Sequence, residues 1–309
     1  MANRMSASTL LSTNSTRDST SSATTTNKSC PLTPYLSYKR LLAVEPHQHV
    51  LHVKLNRVKK RNAIDDTMFS ELRDCFTRLN RDPHFRSVVI SGTGNFFTAG
   101  IDLNFLQSKY PSDVEDVSRK ALILRNSIFD LQDCMLAIGQ CQKPVIAAIN
   151  GPCIGAGVDL ISFTDIRYCT EQTFFSVREV NLGLTADIGT LQTLPRIVGN
   201  QSFVREIVFT GRNVSAQEAQ EMGIVSQVLP CEQTLHESAT ELARQIATQS
   251  PIAVQGSKVC LDYSREHGIV DGLKFTANWN MSMLQSEDLF KATMAVVSKS
   301  EDAVKFNDL

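Results

Sequence analysis

A chain of 309 residues with 42% apolar content can bury one large core or two modest ones, so disorder of the whole is excluded and a soluble globular protein is expected. A formal charge of -1 and a pI near 6.6 exclude a dedicated nucleic-acid or membrane-surface binder, which carries a strong basic excess. Apolar runs such as Val145-Ile146-Ala147-Ala148-Ile149 are far shorter than the roughly 18 residues of a spanning helix, so no membrane insertion is expected.

Residues 1–35 read as a disordered tail or transit peptide. Half of residues 1–30 are Ser or Thr, and Arg4, Arg17 and Lys28 face one acid, Asp18, a composition that forms no core and fits mitochondrial targeting as well as a tail with no address. A strand begins at His49, with the polar turn Asn56–Asn62 after it. A helix follows whose stripe is Met68, Leu72, Cys75, Phe76 and Leu79. Ser87–Ser91 is a buried strand leading into Gly92–Gly100, and a long helix over 113–141 precedes a second buried strand, Pro144–Ile149. Short strands near Ile166–Cys169 and Phe174–Val177 come next. Beyond Asn200 the pattern is mainly helical, apart from a short strand at Ile224–Leu229. Alternating strands and helices with a helical tail predict an α/β core over 36–230 and a helical region over 231–309.

The eight cysteines show no CxxC pair and no Cys/His metal spacing, which points to reduced thiols in an intracellular compartment. His47, His49 and His52 cluster at the start of a strand with no further ligand at metal spacing, so no metal is expected.

Chemistry concentrates in about thirty residues, where Asp159, Glu179 and Asp187 lie on mostly apolar segments beside a glycine-rich turn. Apolar surroundings raise a carboxyl group's pKa toward neutrality and suit it to proton transfer. Two strand-to-loop junctions, Thr98-Ala99-Gly100-Ile101-Asp102 and Cys153-Ile154-Gly155-Ala156-Gly157, place small residues before helices. The N–H groups there have no internal partner and can face an anion. The alternatives stay open at this level: glycines that only permit turns, Asp187 as the N-cap of a helix starting near Ile188, Glu179 as a strand-end charge, and Asp159 as a satisfied helix residue.

Phe97–Leu103, Lys143–Gly151 and Gly155–Leu160 resemble the signatures of the enoyl-CoA hydratase/isomerase (crotonase) superfamily. Asp165–Cys169, Val177–Val180, Gly183–Leu191 and Asn278–Gln285 resemble its dienoyl-CoA isomerase branch, and the similarity runs from about residue 45 to 290. The resemblance implies a crotonase-like spiral of repeated ββα units with a C-terminal α-helical trimerisation region, assembled as homo-trimers or hexamers. It implies an acyl-CoA thioester as substrate, and no metal, flavin or nicotinamide cofactor.

Carried onto this chain, the resemblance puts an oxyanion hole at the N–H groups of Ile101 and Ala156, with Thr98, Ala99, Gly100 and Asp102 around it. Many relatives have glycine where this chain has Ala156. Glu179 corresponds to the acid acting at C2, Asp187 to a donor for C6, and Asp159 to a supporting acid. The implied reaction moves 3,5-dienoyl-CoA to 2,4-dienoyl-CoA in unsaturated fatty acid β-oxidation, with a 2-enoyl-CoA hydratase as the alternative. Lys59, Lys60 and Arg61 lie where relatives bind the CoA nucleotide, and Phe105, Leu106 and the 113–141 helix are candidates for the acyl pocket. The expected location is the mitochondrial matrix, with the peroxisome as alternative although the chain ends Asn307-Asp308-Leu309 rather than Ser-Lys-Leu.

Overall fold

A fully buried apolar run favours a central parallel strand, and Val145–Ile149 is one. In the computed structural model, which describes residues 30–300 and 303–309, the strands are β1 (Leu41–His47), β2 (Val50–Leu55), β3 (Ser87–Gly92), β4 (Val145–Ile149), β5 (Cys153–Ile154), β6 (Ile166–Thr170), β7 (Phe174–Ser176), β8 (Val214–Ser215) and β9 (Gln227–Leu229). Six form one sheet in the order β1-β2-β3-β4-β6-β9, and β5-β7-β8 form a small second one. The large sheet is parallel except for the β1-β2 hairpin.

The first helices are α1 (Asp66–Leu79), α2 (Leu103–Ser108), α3 (Val117–Gly139), α4 (Ala156–Ser162), α5 (Thr190–Ile197), α6 (Gln201–Thr210) and α7 (Ala216–Glu221). The later ones are α8 (Glu232–Ala247), α9 (Pro251–Glu266), α10 (Ile269–Met283) and α11 (Glu287–Val297). α1 starts where the Asp65 side chain accepts the Met68 N–H at 3.0 Å, and it buries Met68, Phe69, Leu72, Cys75, Phe76 and Leu79. Each such large side chain is worth about 1.5–3 kcal/mol of burial. The main core lies on that side of the sheet. On the other, Val50, Val89, Ile146 and Ala148 pack under Leu235, Ala239 and Ala243 of α8.

The transit-peptide reading falls mostly on residues 1–29, outside the described ones. Residues 31–35, grouped with the tail above, belong to the body: Tyr35 is buried and its hydroxyl donates to Asp82 at 2.8 Å. β1 was not expected from the pattern, because it is an edge strand whose side chains are largely exposed. No helix among the described residues is long and apolar enough to cross a membrane.

β3 and β4 are parallel neighbours, so the loops leaving their C-terminal ends emerge side by side, where α/β sheets commonly bind ligands. Asn150 ties the two loops together: its Oδ1 accepts the Gly92 N–H at 3.0 Å and its Nδ2 donates to the Gly94 carbonyl at 2.6 Å.

Candidate active site

The loops after β3 and β4 run alongside each other. The Thr98 N–H donates to the Pro152 carbonyl and the Ile154 N–H to the Thr98 carbonyl, both at 3.2 Å. Gly100 (φ +90°) is needed at the crossing, since a Cβ there would lie 2.8 Å from the Ile154 carbonyl oxygen and 3.6 Å from the Ala156 nitrogen. Gly155 (φ +52°, ψ −121°) turns the second loop into α4.

Several residues of the first loop are committed to holding it. Thr98 is buried, its hydroxyl donating to the Asn62 carbonyl at 2.7 Å and accepting the Gly100 N–H at 3.1 Å. The Ala99 N–H donates to the Arg61 carbonyl and the Asp102 N–H to the Ile64 carbonyl, each at 2.9 Å. The Asp102 carboxylate caps α2 and pairs with Arg57 at 2.6 Å, and the Arg57 guanidinium holds its pKa below the usual range. Thr98, Ala99, Gly100 and Asp102 therefore shape the loop. The N–H groups of Ile101 and Ala156 have no hydrogen-bond partner among the described residues.

Both of these residues line a cavity of about 170 Å³, together with Glu179 and Asp187. Its walls include Leu106 of α2, Leu124, Ile128 and Leu131 of α3, and Leu184 and Ile188. Larger grooves of about 740 and 430 Å³ lie elsewhere, both lined by Lys258 and Asp262. None of the three acids lines them, so volume alone does not mark the site. The five chain segments converging on the small cavity are the two loops, α2, α3 and the stretch 179–188.

Glu179 opens a short 3₁₀ turn (Glu179–Leu182) rather than ending a strand. It is half-buried, its Oε2 has no partner among the described residues, and burial pushes its pKa up, with the Asp187 charge adding to the rise. Asp187 is exposed, yet desolvation also raises its pKa. It is not the helix cap: α5 begins at Thr190 after Gly189 with no side-chain cap. The Thr190 N–H instead donates to Asp159 Oδ1 at 2.6 Å.

Asp159 is fully buried and does not line the cavity. Its Oδ2 has no partner among the described residues. Burial first, and then the Glu179 charge, push its pKa up to about 7. It is thus only half satisfied as a helix residue.

Lys59, Lys60 and Arg61 are exposed on a one-turn 3₁₀ segment and do not line the cavity; Arg61 lies over the Phe96 ring at 5.3 Å. Phe105 is packed against Phe69 rather than in the cavity. Lys109, Tyr110, Ser127 and Thr185 line the cavity and were not singled out from the sequence. The 124, 127, 128, 131 spacing of the α3 residues was the available signal. The histidine cluster does not form a metal site: His52 is buried against Ser91, its Nε2 2.8 Å from the hydroxyl, and among the described residues no His, Cys, Asp and Glu group could hold a metal ion.

The enoyl-CoA hydratase/isomerase family model matches residues 45–303. The mitochondrial Δ(3,5)-Δ(2,4)-dienoyl-CoA isomerase of Rattus norvegicus is 47% identical, over 88% of this chain and 84% of the relative. The peroxisomal Δ(3,5)-Δ(2,4)-dienoyl-CoA isomerase of Arabidopsis thaliana is 42% identical, over 85% of this chain and 96% of the relative. The solved enoyl-CoA hydratase of Bacillus anthracis superposes with a TM-score of 0.78 at 28% identity, covering 87% of this chain and 99% of that structure.

Proposed function

The chain belongs to the enoyl-CoA hydratase/isomerase family, and we propose that it isomerises 3,5-dienoyl-CoA to 2,4-dienoyl-CoA in the breakdown of unsaturated fatty acids. The observation that carries this reading is the pairing of Glu179 and Asp187 in one cavity with two unengaged backbone donors. The reaction takes one proton from C2 and adds one at C6, while the C3=C4 and C5=C6 double bonds become C2=C3 and C4=C5. Oxidation state does not change, so no redox cofactor is required; coenzyme A is part of the substrate.

Glu179 takes the C2 proton, and its raised pKa makes the ionised form a stronger base. The dienolate charge rests largely on the thioester oxygen, which the Ile101 and Ala156 N–H groups receive; one such donor is typically worth about 3 kcal/mol. Asp187 donates to C6, and its raised pKa favours the protonated form that this step needs. Asp159 fixes the start of α5 through Thr190 and lies beneath the site, with no place on the cavity wall from which to activate water. That burial weighs against the hydratase alternative.

Lys59, Lys60 and Arg61 supply positive charge for the CoA phosphates. The apolar side chains exposed on α10 and α11, among them Ile269, Leu273, Phe290 and Val296, support assembly into trimers and hexamers, because exposed apolar surface of that extent favours association. The protein acts in mitochondria, in keeping with the rat relative; the plant relative supports the peroxisomal alternative.

The test is to supply a 3,5-dienoyl-CoA and follow the conjugated 2,4-dienoyl product by absorbance, with crotonyl-CoA in parallel. Formation of the 2,4-diene conjugated with the thioester carbonyl, with little loss of the crotonyl chromophore, is expected. Hydration of crotonyl-CoA without dienoyl turnover would establish the hydratase instead.

A further inference from the structure

The segment that carries Asp187 has open space on both sides. Thr185 lines the acid-bearing cavity and also a second groove of about 390 Å³, walled by Val180, Ala186, Leu191, Val204 and Phe209. At one end of the segment the Leu184 N–H donates to the Glu179 carbonyl at 2.9 Å, and at the other the Gly189 carbonyl receives Gln192 and Thr193 at 3.0 Å. Between them, residues 185–188 make no main-chain hydrogen bond to main chain among the described residues. One bond reaches in from outside: Gln132 Nε2, on α3, donates to the Asp187 carbonyl at 2.6 Å. Apart from that bond, the buried side chains of Ala186 and Ile188 are what anchor the stretch.

We propose that Gln132 is a positioning residue that sets where Asp187 presents its proton to C6. This rests on the reading of Asp187 as the C6 donor. Gln132 stands four residues after Ile128, on the part of α3 that walls the cavity, and i, i+4 residues share a helix face. The same helix thus shapes the pocket and holds the backbone of the acid. Gln132 lies outside the cavity lining, so its influence passes through the main chain of residue 187. Loss of this bond lets the carboxyl wander from its proton-transfer position, and misplacements on the order of 1 Å cost up to about 100-fold in rate.

The test uses the full-length enzyme and the variants Gln132→Met, which keeps size and removes the donor, and Gln132→Lys, which retains a donor. Turnover of a 3,5-dienoyl-CoA in D2O is compared with deuterium incorporation at C2 of unconverted substrate. In Gln132→Met, kcat falls about tenfold with KM within about twofold, and C2 exchange per turnover rises by a similar factor, because Glu179 still works while C6 protonation lags. Gln132→Lys recovers part of kcat. Unchanged kcat in Gln132→Met, or a parallel fall of exchange and turnover that leaves their ratio at the wild-type value, overturns the proposal. Should Gln132→Met fail to fold, Gln132→Glu is read by the same ratio. A wild-type enzyme with no dienoyl turnover defeats the function assigned above, and this role with it; an active wild type with an unaltered ratio in the variants defeats only the role of Gln132.

Discussion

Desolvation displaces the pKa of two groups of side chains, His52 with His236 beside α8 and Asp159 with Glu179 and Asp187 at the loops, and of these five only Glu179 and Asp187 line the acid-bearing cavity. On the α8 side, the His52 and His236 rings lie against each other with centroids 5.4 Å apart and planes tilted by 53°. Burial pushes the His52 pKa down to about 3 and lowers that of His236. On the loop side, desolvation raises the pKa of buried Asp159, half-buried Glu179 and exposed Asp187. The physical cause is the same in both, since a low-dielectric setting disfavours whichever form is charged. Orphaned polar atoms occur in both as well: His236 Nδ1 on one side, Asp159 Oδ2 and Glu179 Oε2 on the other. A displaced pKa and an unpartnered atom therefore do not distinguish a site from a core. The loop side differs in having a cavity lined by Glu179 and Asp187 together with Ile101 and Ala156, whose N–H groups are unengaged among the described residues.

The largest effects are expected at the two cavity acids. Asp187→Asn and Glu179→Gln should each lower kcat for dienoyl isomerisation by about 10²–10⁴-fold, measured by formation of the conjugated product; wild-type rates in both variants would remove the distinction drawn between the two groups. The pH profile of kcat should be bell-shaped. Falling pH protonates Glu179 and rising pH deprotonates Asp187, each around a pKa above the ordinary carboxyl value.

Gly155→Ala tests whether the loop geometry matters as much as the acids. Its backbone conformation (φ +52°) disfavours a side chain, and the added Cβ would lie 3.1 Å from Glu179 Oε1. Steady-state assays should show a rate about 10- to 100-fold lower through displacement of Glu179, with about 1–3 kcal/mol of strain visible in urea unfolding.

The histidine side should reveal itself in stability. His52 is held neutral, with a folded pKa of about 3 against an ordinary 6.5. Its contribution is therefore complete above pH 6.5 and is lost as pH falls from there toward 3. Between pH 7 and pH 5 the loss is about 2 kcal/mol, read from urea midpoints, and His52→Gln should flatten that slope. An equal slope in the variant would show that His52 is not the group responsible.

The smallest effect belongs to the exposed basic turn. Replacing Lys59 and Lys60 with Ala should raise KM for the acyl-CoA by a few-fold at low ionic strength, consistent with roughly 0.2–1 kcal/mol per exposed charge, and the difference should fade as salt is added. The value of kcat should not change.

Much of this was legible in the sequence because the signals were local. The apolar run Val145–Ile149 and the stripe from Met68 to Leu79 declare a buried strand and a helix by periodicity alone. The two glycine-bearing loops mark close approaches of main chain. What escaped depended on partners distant in sequence. β1 gives little signal because it is paired on one side and exposed. The strands of the small sheet are only two or three residues long. Asp187 looked like a cap because the residue that receives the Thr190 N–H, Asp159, is 31 positions earlier. Gln132 is one polar residue on a long helix, and nothing near it in the chain announces a bond to residue 187 across 55 positions.

The most direct measurement is to run the isomerisation of unlabelled 3,5-dienoyl-CoA in D2O and locate the label in the 2,4-dienoyl product by NMR. Two carboxyl groups acting at separate carbons predict one deuterium at C6, delivered from solvent-equilibrated Asp187. A product whose C6 hydrogen came unlabelled from C2 would mean that a single group carries the proton across, and would rule out separate roles for Glu179 and Asp187.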